Sequence, residues 1–307
     1  MKYYIIAGEA SGDLHAANMM KALKNIDSKA EFRFWGGELM ENIDGQLVKH
    51  YKDLAFMGFF EVVMNIRTIS RNLKFCKADI KKFKPNCLIF IDYPGFNLRI
   101  AKWAKKESIN THYYISPQIW AWKESRISAI KRDVDKMYVI LPFEKGYYEI
   151  NHSMPVNFVG HPLIDAIADR KPTNEILFRK THGLNQKPII ALLPGSRKQE
   201  INKMLSVMIS VVKSFTDYQF VIAGAPSQDP IFYSSFIKNK NVYFVENNTY
   251  DLLSVAHAAV VTSGTATLET ALFKVPEVVC YKTSWISYEI GKRLVKLKYI
   301  SLVNLIL

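Results

Sequence analysis

The sequence predicts an α/β protein with two doubly wound parallel-sheet domains in tandem. Short apolar runs rich in β-branched and aromatic residues alternate with stretches of helical periodicity, which is the rhythm of βαβ units. Hydrophobicity is continuous along these runs, as in strands that are covered on both faces. The 307 residues also suffice for two domains of ordinary size.

The strand candidates form two series that a polar segment separates. The first series is KYYIIAG, EFRFWGG, NCLIFID, THYYIS, KMYVIL and VNFVGH, and the second is PIIALLPG, YQFVIAG, NVYFVE, AAVVTSG and EVVCYK. The sequence therefore predicts a first domain over residues 1–165, a linker region over 166–187 and a second domain over 188–307. In such folds the ligand site is the cleft between the carboxyl ends of the two sets of strands.

Charge and composition narrow the choice of partner and compartment. The formal net charge of +13 favours an anionic partner, which can be a nucleic acid, a phosphorylated substrate or an acidic membrane surface. No apolar run is long enough to span a membrane, and the apolar start is too short for a secretory signal, so we expect a cytoplasmic protein. Cys76, Cys87 and Cys280 lack zinc-site spacing and are expected to be reduced, mostly buried thiols.

The first candidate site follows the first strand, in IIAGEASGDLHA. Gly8 and Gly12 permit tight turning and close backbone approach, and Asp13 can cap the following helix. The glycine spacing matches neither the dinucleotide-binding pattern nor the P-loop, which argues against nicotinamide and P-loop ATP sites. A simple turn is the alternative.

The second candidate site is LIFIDYPGFN, where Asp92 ends a strand and Asn97 starts a helix. A carboxylate at the carboxyl end of a buried parallel strand points into the cleft, where partial desolvation raises its basicity toward that of a general base. Alternatively, Asp92 caps the next helix through the Pro94-Gly95 turn.

Two further candidates lie in the second domain. In ALLPGSRKQEI, the backbone N–H groups of the Gly195 turn, the Ser196 hydroxyl and the Arg197 guanidinium can converge on an anion. A solvated surface role for Arg197 is the alternative. In VVTSGTATLETALF, Gly264 frees the turn after Ser263, and Thr265 to Thr267 offer donors at a helix N-terminus.

Glu269 lies one turn inside that helix, on the side of Thr265 by its spacing. A carboxylate is a poor phosphate ligand but a good acceptor for the paired hydroxyls of a ribose. The stretch therefore predicts pyrophosphate at the helix start and ribose on Glu269. A glutamate that only stabilises the helix start is the alternative.

The segment from Phe59 to Lys84 begins with apolar residues and continues with basic ones. One interpretation is a long amphipathic surface helix. The other is that the patch from Phe56 to Met64, with Phe56, Met57, Phe59 and Phe60, enters a membrane interface beside cations that contact anionic headgroups.

These stretches, together with GFFEVVMNI, YYISPQIWAWK, LPFEKGYYE, FVGHPLID and GKRLVKLKYISLVNLI, occur in the order and spacing of one family. The chain resembles lipid-A-disaccharide synthase over nearly all of its length. The resemblance implies two tandem Rossmann-like domains of the GT-B type and an inverting glycosyltransferase that uses no metal or other cofactor. It implies transfer from UDP-2,3-diacylglucosamine to 2,3-diacylglucosamine 1-phosphate through a β-1,6 bond, with release of UDP, at an anionic inner-membrane surface.

The resemblance also implies roles for individual residues. Asp92 would take the proton from the acceptor 6-hydroxyl, and Arg197, with Asn304, would act in catalysis. The UDP-binding and acceptor-side residues that it implies are Gly195, Ser196, Arg197, Ser263, Gly264, Thr265 and Glu269 for UDP, and Glu9, Ser11 and Gln118 for the acceptor.

The chain departs from the family pattern at two positions and at its end. Gly95 stands where many members have a second acid, and Val303 stands where a proline usually precedes Asn304. The pattern continues beyond Leu307, so the resemblance implies a C-terminally truncated chain, and with it contacts that would lock domains or a homodimer. An inactive fragment that only binds nucleotide or membrane is then an alternative.

Two other functions compete with glycosyl transfer. A UDP-sugar epimerase needs acid and base residues around one sugar but no basic amphipathic patch. A basic RNA-binding protein interleaves surface aromatics with cations, as YYISPQIWAWKESR does. We expect Trp120 and Trp122 to pack in the cleft instead, which argues against RNA binding.

Overall fold

A computed structural model describes residues 1–54, 66–226, 228–237, 240–282, 301 and 303–306. The chain divides into two compact units, Met1–Pro162 and Leu163–Leu307. Each unit contains one sheet in which all described strand pairs are parallel. The predicted fold class, two doubly wound α/β units in tandem, is confirmed.

The first unit is built on a seven-stranded sheet with the strand order β3-β2-β1-β4-β5-β6-β7. Its strands are β1 Lys2–Ala7, β2 Glu31–Gly36, β3 Gln46–His50, β4 Cys87–Ile91, β5 Thr111–Tyr114, β6 Lys136–Val139 and β7 Asn157–Phe158. Its α-helices are Ala10–Ile26, Glu38–Glu41, Ile66–Phe83, Pro94–Lys106, Ile127–Asp133 and Pro142–Gly146. Shorter helical turns span Tyr51–Leu54, Glu124–Arg126 and Tyr147–Asn151.

Strand β1 shows why the apolar runs are continuous. Tyr4 and Ile6 are buried in one core cluster, whereas Tyr3 and Ile5 are buried in another on the opposite side. Successive side chains of a strand point to opposite faces, so both faces of this sheet are covered.

The second unit has a five-stranded sheet with the order β10-β9-β8-β11-β12. Its strands are β8 Ile189–Leu193, β9 Gln219–Gly224, β10 Val242–Glu246, β11 Ala258–Thr262 and β12 Glu277–Cys280. Its α-helices are Glu175–Thr181, Lys198–Ser210, Pro230–Ser234, Thr249–Val255, Thr265–Leu272 and Val303–Ile306, and a short turn spans Val212–Ser214. The helix Pro162–Ala168 runs across the boundary between the units.

Residues 166–187, for which the sequence predicts a linker region, group with the second unit. The helix Glu175–Thr181 lies in this segment, and Phe178 and Leu184 are buried in the core of the second unit. Arg170 is held there as well, because its guanidinium contacts Asp251 at 2.5 Å. The polar composition of the segment gave no indication that these contacts attach it to the second unit.

The cysteines and the proposed membrane patch can be placed only in part. Cys76 and Cys87 are buried, and Cys280 is half-buried. Phe56, Met57, Phe59 and Phe60 lie outside the described residues. Within the ranges given above, no helix combines the length and the hydropathy that crossing a bilayer requires.

Candidate active site

The two loops singled out in the first unit lie side by side at the carboxyl edge of its sheet. Strands β1 and β4 are neighbours, although β2 and β3 intervene in the sequence, so the strand order reverses direction between them. Ligands of doubly wound sheets bind at such a switch point. The loop that contains Glu9 follows β1, and the loop that contains Asp92 follows β4.

Asp92 is held in an uncommon backbone conformation directly after β4. Both Asp92 and Tyr93 have left-handed backbones, with φ of 41° and 49°. The Asp92 carbonyl accepts hydrogen bonds from the Tyr113 hydroxyl at 2.5 Å and from Asn97 Nδ2 at 2.8 Å. These two hydrogen bonds hold the Asp92 backbone in its left-handed conformation. Residues with such strained backbones are common at functional sites.

The surroundings of Asp92 suit a base. Asp92 as a whole residue keeps solvent-exposed surface. The protein around its carboxyl nevertheless desolvates it and raises the pKa to about 7, and the negative charge of Glu9 acts in the same direction. The Tyr93 N–H opposes this shift. The helix Pro94–Lys106, described over its whole length, has Tyr93 at its N-cap and no side-chain cap there, which does not support the capping alternative for Asp92.

Gly8 and Gly12 serve packing, although a simple tight turn was one interpretation of their spacing. A Cβ atom on Gly8 would overlap the ring of Tyr93, and one on Gly12 would lie 3.2 Å from the Cβ of Ala7. Gly8 thus lets Tyr93 close over the end of β1, and Gly12 lets the helix Ala10–Ile26 approach the strand.

Asp13 caps a different helix from the one predicted. It lies inside the helix Ala10–Ile26 and is 2% exposed. Its carboxylate accepts the backbone N–H groups of Gly37, Leu39 and Met40 at 2.7 to 3.2 Å, at the start of the helix Glu38–Glu41. The prediction of a local cap was wrong, because the orphan N–H groups that Asp13 satisfies lie after β2.

The residues assigned to the acceptor side lie in two loops of the same unit. Glu9 is half-buried, and Ser11 is exposed in the first turn of the helix Ala10–Ile26. Gln118 is exposed in the loop after β5, and its carbonyl accepts the Ala121 N–H at 3.1 Å. Strand β5 neighbours β4, so all three residues lie in segments that follow strands at the same edge as Asp92.

Glu144 organises the loop after β5, a role that the sequence did not predict. It is 1% exposed and accepts hydrogen bonds from Ser116 Oγ at 2.7 Å, from Trp120 Nε1 at 3.1 Å and from two backbone N–H groups. The only local signal was a glutamate two residues after Pro142, which is typical of a helix start. Its contacts with Ser116 and Trp120 join two motifs that are far apart in the sequence.

The two tryptophans of this loop differ in their exposure. Trp120 is half-buried against the ring of Phe143, with centroids 4.9 Å apart. Trp122 is 42% exposed. Lys123 Nζ lies 4.2 Å and Arg126 Cζ lies 5.5 Å from the centroid of its ring. Arg126 also interacts electrostatically with Asp92.

In the second unit, the two predicted loops again flank a switch point. Strands β8 and β11 are paired neighbours, whereas β9 and β10 lie on the other side of β8. The loop of Gly195 to Arg197 follows β8, and the loop of Ser263 and Gly264 follows β11. Arg197 is exposed at the N-cap of the helix Lys198–Ser210.

Glu200 changes how the Gly195 loop can bind an anion. Gly195 has φ of 104°, and a Cβ atom there would overlap the Glu200 carboxylate. Glu200 Oε2 accepts the Ser196 N–H at 3.3 Å. One of the predicted backbone donors is therefore used inside the loop.

The helix that follows β11 starts at Thr265. Ser263, whose N–H donates to the Cys280 carbonyl at 3.0 Å, is half-buried, and Thr265 is exposed. Thr267 was predicted to offer its hydroxyl to a ligand, and this was wrong. It is fully buried and donates to the Gly264 carbonyl at 2.8 Å.

Glu269 has a partner that the sequence analysis did not identify. The Tyr250 hydroxyl donates to Glu269 Oε1 at 2.9 Å, and Tyr250 packs on Phe273 with ring centroids 5.4 Å apart. Burial raises the pKa of Glu269, and the Tyr250 hydrogen bond opposes that shift. The contact orients one carboxylate oxygen toward Tyr250.

Asn304 is exposed in the helix Val303–Ile306. Ser301, three residues before it, is buried and donates to Thr267 Oγ1 at 3.2 Å. The start of this segment is thereby anchored beside the helix Thr265–Leu272.

Comparison with known proteins identifies relatives over almost the whole chain. A family model described as lipid-A-disaccharide synthetase matches residues 3–307. The lipid-A-disaccharide synthase of Coxiella burnetii (strain CbuK_Q154) is 40% identical over 306 residues, which cover 98% of this chain and 81% of that protein. Lipid-A-disaccharide synthase 1 of Legionella pneumophila (strain Paris) is 39% identical over 310 residues, which cover 98% of this chain and 80% of that protein.

The solved structures that are similar share the fold. UDP-GlcNAc 2-epimerase from Neisseria meningitidis, bound to UDP-GlcNAc, superposes with a TM-score of 0.67 at 16% identity and covers 100% of this chain and 90% of that one. At this identity the likeness shows a GT-B-like Rossmann-type fold alone.

Proposed function

This chain belongs to the lipid-A-disaccharide synthase family, and from that membership we propose how its residues divide the work of the reaction. The enzyme is a hexosyltransferase of lipid A biosynthesis: it condenses UDP-2,3-diacylglucosamine with 2,3-diacylglucosamine 1-phosphate and releases UDP. One observation carries the assignment of roles, namely that the predicted loops of each unit flank a topological switch point.

The first unit binds the acceptor and holds the base. Asp92 takes the proton of the acceptor 6-hydroxyl as that oxygen attacks the anomeric carbon of the donor sugar. Its raised pKa, about 7, supports this role, because a base works best when its pKa lies near the working pH. Glu9, Ser11 and Gln118 line the same edge of the sheet and contact acceptor hydroxyls.

The second unit binds UDP. Negative charge develops on the departing diphosphate as the bond to the anomeric carbon breaks. Arg197 and the N-terminus of the helix Thr265–Leu272 stabilise that charge, together with the hydroxyl groups of Ser196 and Ser263. Asn304 contributes to the same UDP site, since Ser301 anchors its segment beside the same helix.

Glu269 binds the ribose hydroxyls in this proposal, while Tyr250 holds the carboxylate in place. We expect Glu269→Gln to weaken UDP binding by about 10-fold or more, because the hydroxyls then lose a charged acceptor. Binding of the 2′,3′-dideoxyribose analogue should change little. Calorimetry with both ligands measures the ratio of affinities.

Tyr250→Phe is the companion variant, because it removes the hydroxyl that orients Glu269 and keeps the ring on Phe273. It should show a smaller loss in the same direction. An unchanged ratio of the two affinities in Glu269→Gln would assign Glu269 to helix stability.

The assay that tests the function directly mixes the protein with both substrates in detergent. Chromatography should detect the disaccharide 1-phosphate and UDP in equal amounts. A UDP-sugar 2-epimerase would instead change the donor without the acceptor. UDP release without disaccharide would contradict glycosyl transfer.

We also propose that the enzyme docks on an anionic membrane surface. The helix Ile66–Phe83 follows the predicted apolar patch and exposes several cations: Arg67, Arg71, Lys74, Lys81 and Lys82. Ile66 and Phe75, on the same helix, are 62% and 49% exposed. Exposed apolar side chains beside basic ones are typical of interfacial segments, and the acylated substrates reside in a membrane.

Replacing Phe59 and Phe60 with Ser should reduce binding to anionic vesicles several-fold and leave the thermal midpoint nearly unchanged, because in this proposal the two side chains bind the membrane interface and do not contribute to a core. High salt should weaken the same binding by screening the cations. Vesicle sedimentation and thermal unfolding are the measurements.

A matched control is Ile176→Ser with Leu177→Ser, since these side chains are 81% and 60% exposed in the second unit. The control should bind vesicles like the parent. A large fall in midpoint with unchanged vesicle binding for the Phe59 and Phe60 variant would show that these residues belong to the core.

A further inference from the structure

Two cations share one exposed aromatic ring in the loop after β5. Lys123 Nζ lies 4.2 Å and Arg126 Cζ lies 5.5 Å from the centroid of Trp122. The Arg126 N–H donates to the Lys123 carbonyl at 3.0 Å, which closes the short turn Glu124–Arg126 and keeps both side chains near the ring. Trp122, Lys123 and Arg126 together thus form a small, preorganised cationic surface.

No described carboxylate forms an ion pair with either cation at 4.0 Å or less. Glu124, which lies between them in the sequence, faces His152 instead, with 3.4 Å between Oε1 and Nε2. Burial lowers the pKa of Lys123, and the charge of Arg126 lowers it further. Two like charges held near each other are stabilised by an anionic ligand.

The backbone supports the same interpretation. Lys123 has a left-handed φ of 57°, a conformation that costs free energy in a residue with a side chain. Glu144 fixes the preceding part of the loop through Ser116 and Trp120. The backbone that carries the two cations is therefore held by the fold.

Arg126 connects this surface to the base. Its charge acts on Asp92 and on Tyr113, and the negative charge of Asp92 offsets part of the pKa lowering that burial causes in Arg126. Strands β4 and β5 are neighbours, so the loops of Asp92 and Arg126 emerge side by side.

We propose that Trp122, Lys123 and Arg126 bind the phosphate of the acceptor and make the enzyme selective for a phosphorylated sugar. This inference rests on the proposed function, which supplies the 1-phosphate as the acceptor's anionic group. Arg126 forms charge-assisted hydrogen bonds with the phosphate oxygens, and Lys123 adds a second positive charge. The sugar then spans from this phosphate to its 6-hydroxyl at Asp92.

The test compares two acceptors in neutral detergent micelles that contain no anionic lipid: diacylglucosamine 1-phosphate and its dephosphorylated counterpart. The parent should prefer the phosphorylated acceptor in kcat/KM. In Arg126→Gln and Lys123→Gln this preference should fall by about 10-fold or more, mainly through KM of the phosphorylated acceptor. Arg126→Lys should retain part of the preference.

Lys136→Gln is the matched control, because it removes one exposed positive charge at the start of β6, on the opposite edge of the sheet. UDP affinity and the thermal midpoint are measured for every variant to detect misfolding. If both acceptors lose kcat equally and the pH profile shifts, Arg126 acts through Asp92 and the proposal is wrong.

Three further outcomes separate the explanations. Equal use of both acceptors by the parent overturns the phosphate site and leaves glycosyl transfer intact. Absence of disaccharide from the parent contradicts the proposed function itself. If the variants lose binding only to anionic vesicles, the ligand is a lipid headgroup and the assignment to the acceptor is overturned.

Discussion

Asp92→Asn is expected to reduce disaccharide formation by about 10³-fold while leaving the affinity for UDP unchanged. The amide is isosteric but cannot accept the proton of the acceptor hydroxyl, and general bases contribute about 10²- to 10⁴-fold to such reactions. UDP affinity should not change, because the residues proposed to bind UDP belong to the second unit. Single-turnover rates and calorimetry with UDP are the measurements.

The pH profile provides a second readout of the same role. The pKa of Asp92 is raised to about 7, so the carboxyl is protonated and inactive below that value. In the parent, kcat/KM should fall about tenfold per pH unit on the acidic side of an apparent pKa near 7. Glu9→Gln should move the acidic limb of the pH profile to lower pH, because the negative charge of Glu9 contributes to the raised pKa of Asp92.

Stability supplies the control. A carboxyl whose pKa is higher in the folded state than in the unfolded state makes the fold less stable as the pH rises from about 4 to about 7. Asp92→Asn removes that effect, so its thermal midpoint at pH 8 should not fall. Asp53→Asn, at an exposed carboxylate of the same unit, should match the parent in rate. A large loss of UDP affinity in Asp92→Asn would remove Asp92 from the role of base.

The positions of Asp92 and Arg197 could be predicted because Asp92 directly follows an apolar run and Arg197 follows another after a three-residue turn. In a parallel sheet the carboxyl ends of all strands lie at one edge, so a polar residue after a strand is placed there whatever the strand order. The alternation of strands and helices in the sequence thus predicts that these residues lie at the carboxyl edge of their sheets. The strand order that makes β1 and β4 neighbours required the structure.

The partners of the site residues could not be predicted, because they come from distant parts of the chain. Asp13 caps a helix that starts at Glu38, and Tyr250 holds Glu269. Glu144 joins Ser116 and Trp120. Buried polar groups need partners, but a single sequence does not say which loops meet.

Helix phase explains the wrong prediction at Thr267. Thr265 and Thr267 are two residues apart, which corresponds to about 200° of rotation around a helix. Once Thr265 is exposed, Thr267 faces the opposite side, where it is fully buried and bonds the Gly264 carbonyl. Periodicity alone could have excluded it as a ligand.

Arg197→Ala is expected to weaken UDP binding by about 10- to 100-fold and uridine binding very little. The proposed partner of the guanidinium is the diphosphate, and a hydrogen bond between charged groups contributes about 1.5 to 3 kcal/mol. The rate of transfer should fall further than the affinity, because charge on UDP grows in the transition state. Calorimetry with UDP and uridine and single-turnover rates measure both effects.

Lys203→Ala is the matched control, since Lys203 is an exposed cation on the helix Lys198–Ser210 that starts beside Arg197. It should bind UDP like the parent. Arg197→Lys keeps the charge but loses the planar pair of donors, so an intermediate loss is expected. Equal losses for UDP and uridine in Arg197→Ala would mean that Arg197 supports the fold of the loop.

Glu200 is the reason to expect a large effect at Arg197. Its carboxylate accepts the Ser196 N–H and would overlap any Cβ atom at position 195. A diphosphate near this loop meets that negative charge, and one backbone donor is already used. The guanidinium must therefore offset a carboxylate as well as bind the phosphate.

Glu200→Gln should strengthen UDP binding in the parent. In the Arg197→Ala background the same change should recover part of the lost affinity. No recovery would show that the two side chains act on different groups.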